Sequence, residues 1–157
     1  MNGQQITALP GSYETGRDFV FGDPSDSNLD VVVVRTMEEG TLAALKAAGT
    51  LAKNLNARIG LAVIEIVPFK LPLDRPHVPV GFLKRQQCSL LSQAGIEAEE
   101  VRIQICLCRD RNYTLARLLA PRSLVLIGGK RRWYSRQDRK LEKQISRLGH
   151  HVIFVDF

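Results

Sequence analysis

From Leu29 onward the apolar positions change period in a regular way, and each change marks an element. LDVVVV, Leu29 to Val34, is an unbroken β-branched run, the pattern of a strand covered on both faces in a parallel sheet. Thr36-Met-Glu-Glu39 then forms a capping-box pattern, and Leu42, Leu45, Ala48, Ala52 and Leu55 recur at helical spacing until Asn56 can end the helix. ARIGLAVIEIV, Ala57 to Val67, is again β-rich and predicts a second strand. Four prolines in PFKLPLDRPHVPVG, Pro68 to Gly81, remove backbone donors and predict a loop. Leu83, Leu90, Leu91 and Ala94 predict a helix from about Phe82 to Ala94, with Gly95 as its C-terminal cap.

VRIQICLC alternates, with Val101, Ile103, Ile105 and Leu107 on one face and Arg102, Gln104, Cys106 and Cys108 on the other. That alternation predicts a half-exposed third strand nearer an edge. A short helix from Tyr113 to Ala120 leads through Pro121 into SLVLIGG, the fourth strand. The final helix starts near Arg136, with Ser135 and Asp138 as a capping pair, and buries Leu141, Ile145 and Leu148. Gly149 ends it, and HVIFVDF closes the chain as a fifth strand. Residues 1–28 are rich in Gly, Ser, Asp and Pro, with one short apolar break at Phe19-Val20-Phe21, and predict a flexible tail ahead of a single domain over residues 29–157.

Strands alternating with helices through short connections imply an α/β fold, a five-stranded parallel sheet sandwiched by helices in the Rossmann-like manner. Ligands of such sheets sit beyond the carboxyl ends of the strands, where the strand order reverses. The candidates are therefore Arg35-Thr36 after the first strand and Gly128-Gly129 after the fourth.

Charge sharpens this picture. Residues 1–100 hold 9 Lys/Arg against 12 Asp/Glu, whereas residues 101–157 hold 13 against 4, so the formal net charge of +6 arises from the last third. Between Gly128 and Arg147 there are 8 basic residues and 2 acidic ones, directly after the glycine turn. An anionic partner fits such a surface. Composition adds less: 157 residues with 45% apolar content suit one globular domain. No apolar stretch approaches the roughly 20 residues that span a bilayer, which predicts no membrane insertion. The polar N-terminus MNGQQITALPGS lacks the parts of a signal peptide. Three cysteines, Cys88, Cys106 and Cys108, give an odd count without a disulfide framework. Together these predict a cytoplasmic protein.

LAALKAAGTLAKNLNARIGLAVIEIV, and SLVLIGG followed by LEKQISRLGHHVIFV, resemble the universal stress protein family over roughly Leu29 to Phe157. The resemblance implies a five-stranded α/β sandwich that commonly dimerises through its last strand. It also implies ATP binding in many members, through a loop of the form G-x-x-G and further on G-S or G-T. Gly128 matches the first glycine, Arg131 occupies the second, and the region of Asp138-Arg139 replaces the later Gly-Ser/Thr. Arg35-Thr36 stands where nucleotide-binding members carry an aspartate at the end of the first strand. An arginine at the second glycine adds a side chain where backbone must approach phosphate closely.

Two functions follow. In the favoured one the chain is a non-catalytic stress-response or regulatory protein that needs no cofactor and acts as a dimeric module binding a protein partner. In the alternative it senses ATP, another nucleotide or another small anion through Thr36, Gly128, Gly129, Lys130, Arg131 and Arg132, whose guanidinium and ammonium groups hold phosphate directly. In either case the last strand exposes an open ladder, which predicts a homodimer through Val152, Ile153, Phe154 and Val155. The competing expectation is that Phe19-Val20-Phe21 covers that edge and keeps the chain monomeric.

Other chemistry finds little footing. Trp133-Tyr134 among arginines has the composition of a nucleic-acid contact, but a large aromatic more often packs at a sheet end, and nucleic acid is not the expected partner. Cys106 and Cys108 lack the companion pair of a closed zinc site, and His150-His151 point to opposite faces of a strand, so no metal is expected. Ser123 and Ser135 belong to no nucleophile motif, so no catalytic residue is assigned.

Overall fold

The computed structural model describes residues 12–15, 30–67, 70, 79–97, 100–110, 119, 124–130 and 136–156. In chain order these form β1 (Ser12–Thr15), β2 (Asp30–Val34), α1 (Glu38–Leu55), β3 (Arg58–Ile66), α2 (Val80–Gln93), β4 (Val101–Cys108), β5 (Leu124–Gly129), α3 (Arg136–Arg147) and β6 (His151–Asp156). They build one sheet in the order β1-β4-β3-β2-β5-β6. The five strands from β2 to β6 pair in parallel, as predicted. The expected helix from Tyr113 to Ala120 lies outside the described residues, apart from Leu119, which is buried.

Strand β2 is central because its side chains are apolar on both faces, and both faces are covered. Val31 and Val33 pack with Leu45, Ala48, Leu61, Leu90 and Leu91 under α1 and α2. On the opposite face, Val32 and Val34 pack with Val125, Ile127, Leu141 and Ile145 under α3. At the amino ends of the strands Arg58 faces its register partner Asp30, with Nη2 2.7 Å and Nε 3.0 Å from Oδ1. Helix α1 ends where the sequence predicted: Asn56 adopts the left-handed conformation at φ 50°. Gly95 at φ +75° and Gly149 at φ +91° follow α2 and α3 in the same way.

Several expectations are corrected. All eight residues of β4 are buried, so this strand is not half-exposed. Arg102 and Gln104 keep 0% and 5% of their accessible surface. Polar alternation misled because β4 is covered on its polar face as well, and β1 pairs with it antiparallel, Ser12 opposite Cys106 and Thr15 opposite Ile103. The parallel sheet does end at β4, but a strand from the expected tail closes that edge. That strand lies at the far edge from β6, and Phe19-Val20-Phe21 falls outside the described residues. Helix α2 begins at Val80, two residues inside the expected loop, with Pro79 as its N-cap, a position where the missing N–H costs nothing. Leu148, expected in the core, is 38% exposed because α3 has already ended at Arg147. No helix among the described residues is long and apolar enough to cross a membrane.

Candidate functional site at the carboxyl ends of β2 and β5

Between β2 and β5 the strand order reverses: β3 follows β2 on one side, and β5 and β6 occupy the other. The crevice expected at such a point is closed by backbone. An α-carbon hydrogen is all that separates Gly40, in the first turn of α1, from Gly128 in β5. A Cβ built on Gly40 would lie 2.3 Å from Gly128 O, and one built on Gly128 would lie 1.8 Å from Gly40 O. Only a pair of glycines allows helix and strand to approach this closely.

Thr36 fastens the contact. Its hydroxyl donates to Gly128 O at 2.9 Å, so the carbonyl next to the expected phosphate turn is already engaged. This replaces the predicted capping box. The N-cap of α1 is Met37, which makes no side-chain bond to the helix. Thr41, fully buried, takes over the capping work: its hydroxyl accepts from Thr36 N–H at 3.0 Å and donates to Met37 O at 2.8 Å. Glu38 and Glu39 occupy the first turn of α1. Their carboxylates complement the helix dipole and oppose a bound anion at the same place.

Arg35 is likewise committed to its neighbours. Its N–H donates to Ala62 O at 2.8 Å, its Nε donates to Gln87 Oε1 at 3.0 Å, and its Nη1 donates to Thr36 O. Gln87 is buried on α2, so Arg35 ties the end of β2 to that helix. Burial lowers the guanidinium pKa from its ordinary value, and the nearby carboxylates of Glu38 and Glu65 work in the opposite direction. A second cation stands at the same end: Arg109 Nη1 donates to Val67 O at 2.8 Å beyond β3 and β4.

The geometry thus brings Thr36 and Gly128 into direct contact, with Gly129 and Lys130 continuing β5 outward. Arg131, Arg132, Trp133, Tyr134 and Ser135 lie outside the described residues. Sequence reasoning missed Gly40, whose signal was an isolated glycine early in an amphipathic helix.

No protein-family model matches the sequence, and no curated protein matches it. Solved structures do match. A universal stress protein in complex with cAMP aligns at TM-score 0.52 and 18% identity over 83% of this chain and 98% of that one. The universal stress protein from Archaeoglobus fulgidus in complex with dAMP aligns at TM-score 0.54 and 11% identity, over 82% and 98%. A further structure of a universal stress protein from Archaeoglobus fulgidus gives 0.51 and 12%, over 82% and 93%. The chain has the universal stress protein fold. At these identities the likeness is one of fold.

Elsewhere on this universal stress protein fold, Cys106 and Cys108 are both buried in β4, and Cys106 packs with Val34 and Ile127 in the core under α3. Among the described residues no three His, Cys, Asp or Glu side chains gather into a metal-binding group. His150 is buried and His151 exposed, on either side of the turn into β6. The outer edge of β6 has no partner strand among the described residues. Ile153 is 38% exposed there, and Val152, Phe154 and Val155 are half-buried.

Proposed function

We propose that the chain is a non-catalytic, cytoplasmic stress-response or regulatory protein of the universal stress protein type, which works as a homodimeric interaction module and does not bind ATP in the family manner. The observation that carries this reading is the Gly40–Gly128 contact, which puts helix backbone where a nucleotide would need open glycine N–H groups. Glu38 and Glu39 at the same helix start, and Arg35 engaged with Gln87, support it. The open edge of β6 supports the dimer.

Titration calorimetry with ATP, AMP and pyrophosphate tests the reading, together with the mass of any small molecule released from gently purified, denatured protein. The expected result is no released nucleotide and no heat that depends on Lys130. Recovery of stoichiometric ATP would overturn it. A second reading, an anion or nucleotide sensor, is favoured by the position of Lys130 directly after β5, with two neighbours of this fold solved as cAMP and dAMP complexes. In that case Lys130→Ala with Arg131→Ala removes binding, by roughly 1.5 to 3 kcal/mol per charge-assisted contact.

A further inference from the structure

At the end of the sheet opposite Gly128, a hollow of about 460 Å³ opens between the second half of α1, the start of β3 and the turn after α2. It exists because the residues around it are small. A Cβ on Gly49 would meet only Ile96 side-chain atoms, at 3.6 and 3.8 Å, and one on Gly95 would meet nothing within 4 Å. Ala52, Ala57 and Ala94 also line it and, with Ile59 and Ile96, give it an apolar lining.

The rim is polar and mostly cationic. Lys46, Thr50 and Lys53 follow one another at four and three residues along α1, so they share one face of the helix. Arg58 lies alongside, its guanidinium answered by Asp30. Glu100 is the one carboxylate in the lining. Lys53 sits in the last turn of α1, where a cation offsets the helix dipole without any ligand. Lys46 is two turns earlier and has no such explanation, yet it borders the same hollow.

We propose that this hollow binds a small organic anion, with its acidic group between Lys46 and Lys53 and its apolar body against Ala52, Ala57 and Ile96. The site is separate from the crevice at Gly128 and stands whichever reading of that crevice holds. An apolar lining under paired cations selects a ligand that carries both features: a bare inorganic anion forgoes the apolar contact, and a neutral aromatic forgoes the charge.

The test is a titration of the full-length ¹⁵N-labelled chain with phenyl phosphate, followed by amide shifts, with inorganic phosphate and benzyl alcohol as comparisons. Phenyl phosphate is expected to give saturable shifts at Gly49, Thr50, Gly95 and Ile96, and to bind more tightly than either comparison. Both lysines are exposed, so Lys46→Ala/Lys53→Ala should keep the rest of the spectrum and weaken binding about tenfold. The longer Lys46→Gln/Lys53→Gln pair should give the same loss. Four results would overturn the proposal: shifts centred on Gly128 to Lys130, unchanged affinity in both double variants, inorganic phosphate binding as well as phenyl phosphate, or no shift up to about 10 mM ligand.

Discussion

Adding one methyl group at Gly128 tests whether the crevice is closed by helix backbone. The Cβ of Gly128→Ala would lie 1.8 Å from Gly40 O and 2.5 Å from Gly40 C. Non-bonded heavy atoms settle at about 3.5 Å, so α1 and β5 must separate by an ångström or more. Separation stretches the 2.9 Å bond from Thr36 Oγ1 to Gly128 O, a loss of about 1 kcal/mol. It also lifts Ala44 and Leu45, both fully buried, from their contacts, and overpacking of this kind costs about 1 to 3 kcal/mol. The expected destabilisation is therefore about 2 to 4 kcal/mol. Backbone strain contributes nothing, because Gly128 does not lie at positive φ. Gly40→Ala should also destabilise, although alanine is the better helix former by about 1 kcal/mol. Because one movement relieves both clashes, the double variant should cost little more than the worse single one. Gly129→Ala is the control: its Cβ would stop 3.4 Å from Phe154 Cζ, the tip of a half-buried ring that can turn aside, and the effect should stay within about 0.5 kcal/mol. Urea unfolding at constant m-value reads all four. A Gly128→Ala protein within about 0.5 kcal/mol of the parent would refute the closed crevice.

Two further outcomes follow from other parts of the fold. His150 is 7% exposed and burial lowers its imidazole pKa below the ordinary 6.5, so the unfolded chain takes up a proton that the folded chain refuses. Its contribution to stability is fully present above pH 6.5 and declines as pH falls below that value towards the lowered folded pKa; His150→Gln should flatten this decline in urea melts at pH 5 to 7.5, while the exposed His151→Gln should leave it. At the other edge, light scattering of the full chain should give twice the monomer mass, and Ile153→Lys, at an exposed position on β6, should return a monomer with unchanged stability; a parent that is already monomeric would defeat the dimer.

Much of the fold was legible because burial here follows simple period. The unbroken valines of β2 are buried on both faces, and Leu45, Ala48 and Ala52 lie on the buried face of α1, as their spacing demands. What period could not show was cover supplied by a distant segment. Arg102 and Gln104 alternate with apolar neighbours as if they met water, yet both are buried. SYET, which forms β1, has no hydrophobic pattern of its own, and its place beside β4 rests on the backbone ladder, to which any sequence can contribute. Leu148 failed for a local reason: the helical spacing that includes it runs past the end of α3.

The candidate site shows a different limit, which concerns what a glycine is for. Gly128 at the end of a strand and before a helix has the placement of a phosphate glycine, and a missing side chain does open space there. Sequence alone does not say what enters that space. In this chain the occupant is the first turn of α1, and the clue was a second glycine, Gly40, in a helix whose other positions follow a clean amphipathic pattern. A glycine inside a helix gives up about 1 kcal/mol of helix propensity, so its presence asks for a close neighbour. Thr36 carries the same lesson. A threonine three residues before a glutamate reads as a capping box, but its hydroxyl reaches a strand carbonyl, and Thr41 satisfies the helix start instead. Both misreadings come from interpreting a residue by its chain neighbours when its partner is 92 positions away. Pairing Gly40 with Gly128, and Thr36 with the same strand, turns an apparent ligand loop into a joint between helix and sheet. An interaction module needs such a joint to hold α1 against the sheet when no nucleotide is there to do so.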